Sequence, residues 1–422
     1  MYGRRVGGRR LGSRIARLAL LIALVGAAPA AANAPDGAVR LGDVVLFQAC
    51  TDDDGCELWR SDGTRAGTRL VRDIYPTGTG FPDEFTRIGR IVLFNACTSS
   101  DGCELWRSDG TRAGTRQVED ILKGPGSSAP DDLGSVGGVA FFGAVGDGAG
   151  YELWKSDGTR AGTRRVKNVT PGPDGSDFDD FTPFKGEIYF GADDGSRGEE
   201  LWRSDGTRRG TRRVRDINPG PSGSGSEDFV RLGRRLYFSA YEPNKGEELW
   251  RTNGTRNGTR RVADIEQGPS GSLPQDPTRL GGSILFGALT GPLGSELWRS
   301  DGTKAGTKLV KNIYPGGNSS NPDTFASLGG RLYFDAADDD HGTELFRSNG
   351  RRAGTRLVKD IVDGPTGSNA CGQIRLGRFV LFQADDGEAG AELWRTDGTP
   401  AGTQRLKNIN PGPDGSSPLA SC

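Results

Sequence analysis

The stretch ELWRSDGTRAGTRLVRDI (residues 57–74) returns almost unchanged as ELWRSDGTRAGTRQVEDI (residues 104–121). Its opening tripeptide recurs along the whole chain. Glu-Leu-Trp begins at Glu57, Glu104, Glu152, Glu200, Glu248, Glu296 and Glu392, and Glu-Leu-Phe begins at Glu344. The first step is 47 residues and the following six are 48. All seven tryptophans (Trp59, Trp106, Trp154, Trp202, Trp250, Trp298 and Trp394) occupy this one position, and Phe346 is the eighth. A fixed period of this length is the mark of a repeat architecture. Eight units of about 48 residues account for nearly all of residues 33–422, so no separate catalytic domain is expected within them.

One unit reads as four short strands. Residues 228–232, 235–240, 248–252 (ELWRT) and 260–265 (RRVADI) are β-rich runs bounded by Gly, Asn or polar loops, the signature of successive hairpins. Helical spacing is absent after the N-terminal segment. The chain has 68 Gly and 23 Pro in 422 residues, about 22% against roughly 12% in ordinary proteins. With no glycine at every third residue and charges of both signs mixed, collagen and disorder are excluded, and the glycines are assigned to turns. The reading is an all-β, eight-bladed β-propeller of four-stranded repeats of about 48 residues. A linear β-solenoid is the alternative, disfavoured because the first and last units keep the full signature where a solenoid wants atypical caps.

Residues 1–17 carry six Arg and no acid, an apolar run covers residues 18–25, and small residues follow to Ala32. This is the layout of a secretory signal peptide, so residues 1–32 are expected to be a leader and residues 33–422 a single propeller domain. Arg4-Arg5 and Arg9-Arg10 leave a twin-arginine signal open. The apolar run is too short to span a bilayer. The formal charge of the chain is -1. Without the six leader arginines, 48 basic residues face 55 acidic ones, which disfavours nucleic acid as a partner. The expected location is secreted, periplasmic or cell-surface.

Strand alternation puts Glu57 and Trp59 on one face of a blade. The tryptophans are therefore expected to wedge between blades, and the half-buried glutamates to accept hydrogen bonds from backbone or from a neighbouring Arg. Asp62 could ligate calcium or cap a turn; Asn253 and Asn349 at the equivalent position keep the carbonyl without the charge and favour the cap. Basic residues such as Arg65 and Arg69 flank this turn, whereas the preceding hairpin is often acidic, so one rim should be basic and the other acidic. Six cysteines suggest three bonds, Cys50–Cys56, Cys97–Cys103 and Cys371–Cys422, in an exported chain. One His and no paired C-x-x-C make zinc a poor fit.

The unit resembles the ELW-x-x-DGT repeat proteins of bacteria, seen in full over residues 192–224. The resemblance implies an exported, propeller-like protein without an assigned reaction. Phe346, Arg351, Asn253 and Asn349 depart from its pattern. More weakly, Ala192, Asp194, Gly198 and Trp202 are spaced in a way similar to the tryptophan-docking motif of eight-bladed quinoprotein dehydrogenases. That supports the blade count, but no two Cys are adjacent, so no quinone is expected.

The function expected is that of a monomeric, noncatalytic exported module that binds a protein, glycan or cell-envelope partner without a cofactor. A polysaccharide-active hydrolase or lyase and a purely structural matrix protein are the alternatives. No catalytic or metal-binding residue is assigned. Because a single site must break the symmetry, the ligand-binding candidates are Tyr241, Asp338, Asp339, Asp340 and His341, with residues 241–245 and 290–293 as further atypical loops.

Overall fold

A computed structural model describes residues 37–419 apart from 147, 173 and 174. The expected leader and Cys422 lie outside the described residues. The chain forms eight four-stranded antiparallel sheets, each built from one repeat with its strands in sequence order. The first strands are Ala38–Leu41, Asp83–Ile88, Asp131–Val136, Phe178–Phe184, Glu227–Leu232, Gln275–Leu280, Asp323–Leu328 and Cys371–Leu376. Each touches the first strand of the next blade, and the eighth touches the first. They therefore form the inner wall of an eight-bladed β-propeller.

Blade 5 shows how the unit is made. Its strands are Glu227–Leu232, Arg235–Glu242, Gly246–Thr252 and Arg260–Arg261. The last is shorter than the run 260–265 suggests, and beyond it the N–H groups of Ile265 and Glu266 donate to the Glu248 carboxylate, each at 3.0 Å. In blade 1 the Glu57 carboxylate likewise accepts N–H bonds from Ile74 (2.7 Å), Tyr75 (3.2 Å) and Gly80 (2.8 Å). The repeated glutamate thus ties the crossover between blades to the third strand through backbone donors, joined by a serine hydroxyl such as that of Ser272, which donates to Glu248 at 2.8 Å.

The tryptophans lie between blades. Trp106 packs on Leu46, Leu58 and Val71 of the preceding blade, whose Arg72 guanidinium stands 5.8 Å from its ring centre. Phe346 fills the same position and is fully buried. At the Ser-Asp-Gly-Thr turn, Asp62 Oδ1 accepts from the N–H (2.9 Å) and hydroxyl (2.6 Å) of Thr64. Asn253 makes the same pair with Thr255 at 3.0 and 2.7 Å, so the turn needs the carbonyl oxygen and not the charge. A Cβ on Gly67 would meet Asp62 Oδ1 at 2.0 Å, which explains glycine at this position.

The ring closes through a composite strand. Leu419 N–H donates to Gln48 O at 3.1 Å and Cys50 N–H to Ser416 O at 2.8 Å. In blade 2 the corresponding bond, Cys97 N–H to Gly80 O at 2.7 Å, comes from the blade's own lead-in. Leu419 is buried in the core with Val45 and Phe47. Arg395 of blade 8 donates to Gly63 O (2.7 Å), and Lys407 donates to Thr68 O (2.6 Å) while covering the Trp59 ring. Disulfides join Cys50 to Cys56 and Cys97 to Cys103. Each links directly opposed residues of the second and third strands. Cys371 is also disulfide-bonded. No described helix is long and apolar enough to cross a membrane.

Candidate functional site

The inner wall carries an acidic collar. Six first strands begin Asp83-Glu84, Asp131-Asp132, Asp179-Asp180, Glu227-Asp228, Gln275-Asp276 and Asp323-Thr324, if the strand of blade 4 is counted from its second residue. The second residue of each pair has positive φ: 56° at Glu84, 54° at Asp132 and Asp180, 60° at Asp228, 50° at Asp276 and 47° at Thr324. Each lies at an irregularity in the pairing of the first and second strands. A bulge of this kind re-aims a side chain, and Asp tolerates the left-handed region better than most residues. In blade 8 the position is Gly372, with φ 67°.

The bulged carboxylates link one blade to the next. Glu84 Oε2 accepts the Asp132 N–H at 2.7 Å, Asp180 Oδ2 the Asp228 N–H at 2.5 Å, and Asp228 Oδ1 the Asp276 N–H at 3.4 Å. Thr324 continues the series by hydrogen bonding to Asp335 Oδ1 (2.5 Å) and to Gln373. Behind the collar stand Glu199 and Glu247 on third strands and Asp335 on a second strand.

Burial holds the carboxyls of Asp179, Glu199, Asp228 and Asp276 well above the usual range, and neighbouring carboxylates push in the same direction. Asp335 is raised to about 7 by burial and then by Asp323. The main neighbouring charges on the first four are all carboxylates. Glu84, Asp131 and Asp132 bring three carboxylate oxygens within 4.8 Å of one another, a spacing a metal ion could use. At the other end of the first strands stand Arg40, Arg87, Arg231, Arg279 and Arg375, all exposed. Each Nε donates to the glycine carbonyl of the adjacent turn. The inner wall therefore runs from acidic to basic.

The candidates chosen for broken symmetry lie elsewhere. Tyr241 is half-buried near the end of its strand, and its N–H donates to Ser224 O at 2.7 Å. Asp338 Oδ1 accepts the N–H groups of Asp340 (3.1 Å) and His341 (2.8 Å) and contacts His341 Nδ1 at 2.8 Å. That contact raises the His341 pKa. Asp339 and Asp340 are exposed. Asp194 and Asp386 cap the equivalent hairpins of blades 4 and 8, so this loop uses a shared turn device. Among the described residues no hydrogen bond or ion pair joins the hairpins at 241–245, 290–293 and 338–341. Sequence reasoning missed the collar, although its signal was available: acidic pairs at 83–84, 131–132, 179–180 and 227–228 follow the repeat spacing.

No family model and no curated protein matches the chain. Solved structures do. A puromycin hydrolase matches with a TM-score of 0.51 and 17% identity, over 79% of this chain and 54% of that one. A prolyl endopeptidase structure matches with a TM-score of 0.52 and 13% identity, over 76% of this chain and 48% of that one. The chain spans about half the length of these structures. At such identities the likeness is one of fold. The solved structures it resembles are a hydrolase and a prolyl endopeptidase, and this finding stands against the expectation of a noncatalytic binding or scaffold module.

Proposed function

We propose that the chain acts in peptide processing, as a propeller whose acidic inner wall receives a basic peptide segment on its way to hydrolysis. The observation that carries this reading is the collar. Carboxylates from five consecutive blades, Glu84, Asp132, Asp180, Asp228 and Asp276, stand at matching bulges, and the strongest neighbouring charges on its most buried members are again negative. A concave surface of one sign concentrates ligands of the other. The peptidase neighbours support the choice of a peptide as that ligand. We also place this role outside the cytoplasm, on the strength of the leader-like residues 1–32 and the disulfides.

The test is fluorescence anisotropy with a labelled Lys/Arg-rich peptide and a Glu-rich control, followed by mass spectrometry of the incubated peptides. The basic peptide should bind, and added salt should weaken it. Combined Glu84→Gln, Asp132→Asn and Asp276→Asn replacements should weaken it further. Equal binding of the Glu-rich control, or unchanged binding by the triple variant, contradicts the reading.

A further inference from the structure

The turns that carry the third strand of a blade into its fourth hold more positive charge than the fold uses. In each of blades 1–7 such a turn has at least two exposed Lys or Arg, as with Arg65 and Arg69 in blade 1 or Arg351, Arg352 and Arg356 in blade 7. None of these turns has more than one acid, and in blades 5 and 7 that acid is replaced by Asn253 and Asn349. Among the described residues Arg160 is the one exposed cation of these turns in an ion pair, with Glu119 at 2.8 Å.

The turns between first and second strands lie on the same face. Lys185 Nζ in that turn of blade 4 donates to Asn253 O of blade 5 at 2.9 Å. A Cβ on Gly63 of blade 1 would meet Leu376 and Phe379, which flank that turn of blade 8, at 3.5 and 3.7 Å. These inner turns add the five first-strand arginines, each anchored by its Nε bond to a glycine carbonyl. Asp43 is their one exposed acid among the described residues. Because the strands of each sheet follow one another in order and antiparallel, the acid-capped hairpins and the crossovers lie on the opposite face. The collar, at the starts of the first strands, opens there too.

We infer that the positive face docks the propeller on an anionic phospholipid bilayer, with the acidic collar turned away from it. The charge reaches from the inner turns to the outer ones and so covers a plane, the shape a bilayer offers. A nucleic-acid strand is instead gripped along a groove with aromatic side chains for its bases. The exposed large apolar residues among those described, Phe81 and Leu273, sit in crossovers of the other face, so attachment is electrostatic and involves no insertion. Each Lys or Arg near the headgroups adds to the attraction, which fades within a Debye length. Blade 8 has Pro400 and Gln404 at the two repeated basic positions, leaving a gap in the outer charge. The inference is independent of the peptide reading, since attachment is measured without peptide.

The experiment is sedimentation of the full chain with vesicles of equal parts phosphatidylglycerol and phosphatidylcholine, and with vesicles of phosphatidylcholine alone. It is paired with crosslinking to a photoreactive phosphatidylglycerol and mass-spectrometric mapping. The protein should bind the anionic vesicles, not the neutral ones, and salt should release it. Adducts should fall in turns such as residues 207–212 and 351–356. Combined Arg208→Gln, Arg209→Gln, Arg351→Gln and Arg352→Gln replacements should weaken binding by about tenfold or more. Lys123→Gln with Arg197→Gln, on the other face, should leave it within about twofold. Should the first variant fail to fold, Arg65→Gln with Arg112→Gln and Arg256→Gln carries the same expectation as the first. Equal binding to both kinds of vesicle, adducts confined to residues 1–32 or to the hairpins of the opposite face, or undiminished binding by the variants of the positive face overturns the proposal. Tighter binding to a DNA duplex of matched phosphate content overturns it in favour of nucleic acid.

Discussion

Two carboxylates of the repeat have opposite electrostatic fates. Asp62 is exposed, and its hydrogen bond from the Thr64 hydroxyl lowers its pKa. Glu57 is fully buried, and burial raises it from 4.5 to about 7 although three backbone donors pull the other way. Glu104, Glu152 and Glu248 are also raised to about 7. Between pH 4.5 and 7 the native chain holds protons that the unfolded chain has released, so its stability should fall as pH rises through that window. Calorimetry should accordingly find a higher unfolding temperature near pH 5 than above pH 7. At the turn, Asp301→Asn should be nearly neutral in urea unfolding, because Asn253 already makes both bonds, whereas Asp301→Ala should cost about 1–2 kcal/mol. The exchange of Asp for Asn was legible in the sequence because it varies one property alone. The bulged Asp132 was not, since positive φ at an ordinary residue leaves no periodic trace.

At the scale of elements, the blades follow from alternation and from turn residues, and their four-strand pattern was readable throughout. Strand ends were less so. Past the fourth strand the Glu248 carboxylate captures N–H groups across 17 and 18 residues, a contact that leaves no mark in the local pattern. Closure was readable only as a match between the two ends of the chain. The structure gives it a physical form in Leu419, which fills the start of the first strand of blade 1 and is 1% exposed. Leu419→Ala should destabilise the ring by about 2–5 kcal/mol. Removing residues 416–419 should cost more, because the bonds to Gln48 and Cys50 go as well. Denaturant unfolding of both variants, beside a substitution at exposed Arg65, checks this. Equal stability of all three would place the closure elsewhere.

For the whole molecule, function depends on how like charges are gathered around an axis. Acidic pairs 48 residues apart look like solvated turn residues when read one unit at a time, and broken symmetry directed attention to the hairpin of Asp338 and His341. Only the ring shows that Glu84, Asp132, Asp180, Asp228 and Asp276 form one collar, with five arginines at the opposite end of the first strands. The central claim is that a basic peptide occupies this inner wall. Photo-crosslinking with a Lys/Arg-rich peptide carrying a photoreactive residue, followed by mass-spectrometric mapping, tests it most directly. The account predicts adducts within the first strands, at residues 83–88, 131–136, 227–232 or 275–280, and their loss in the Glu84→Gln, Asp132→Asn and Asp276→Asn variant. Adducts confined to the hairpins at 241–245 and 338–341, or unchanged by that variant, would contradict it.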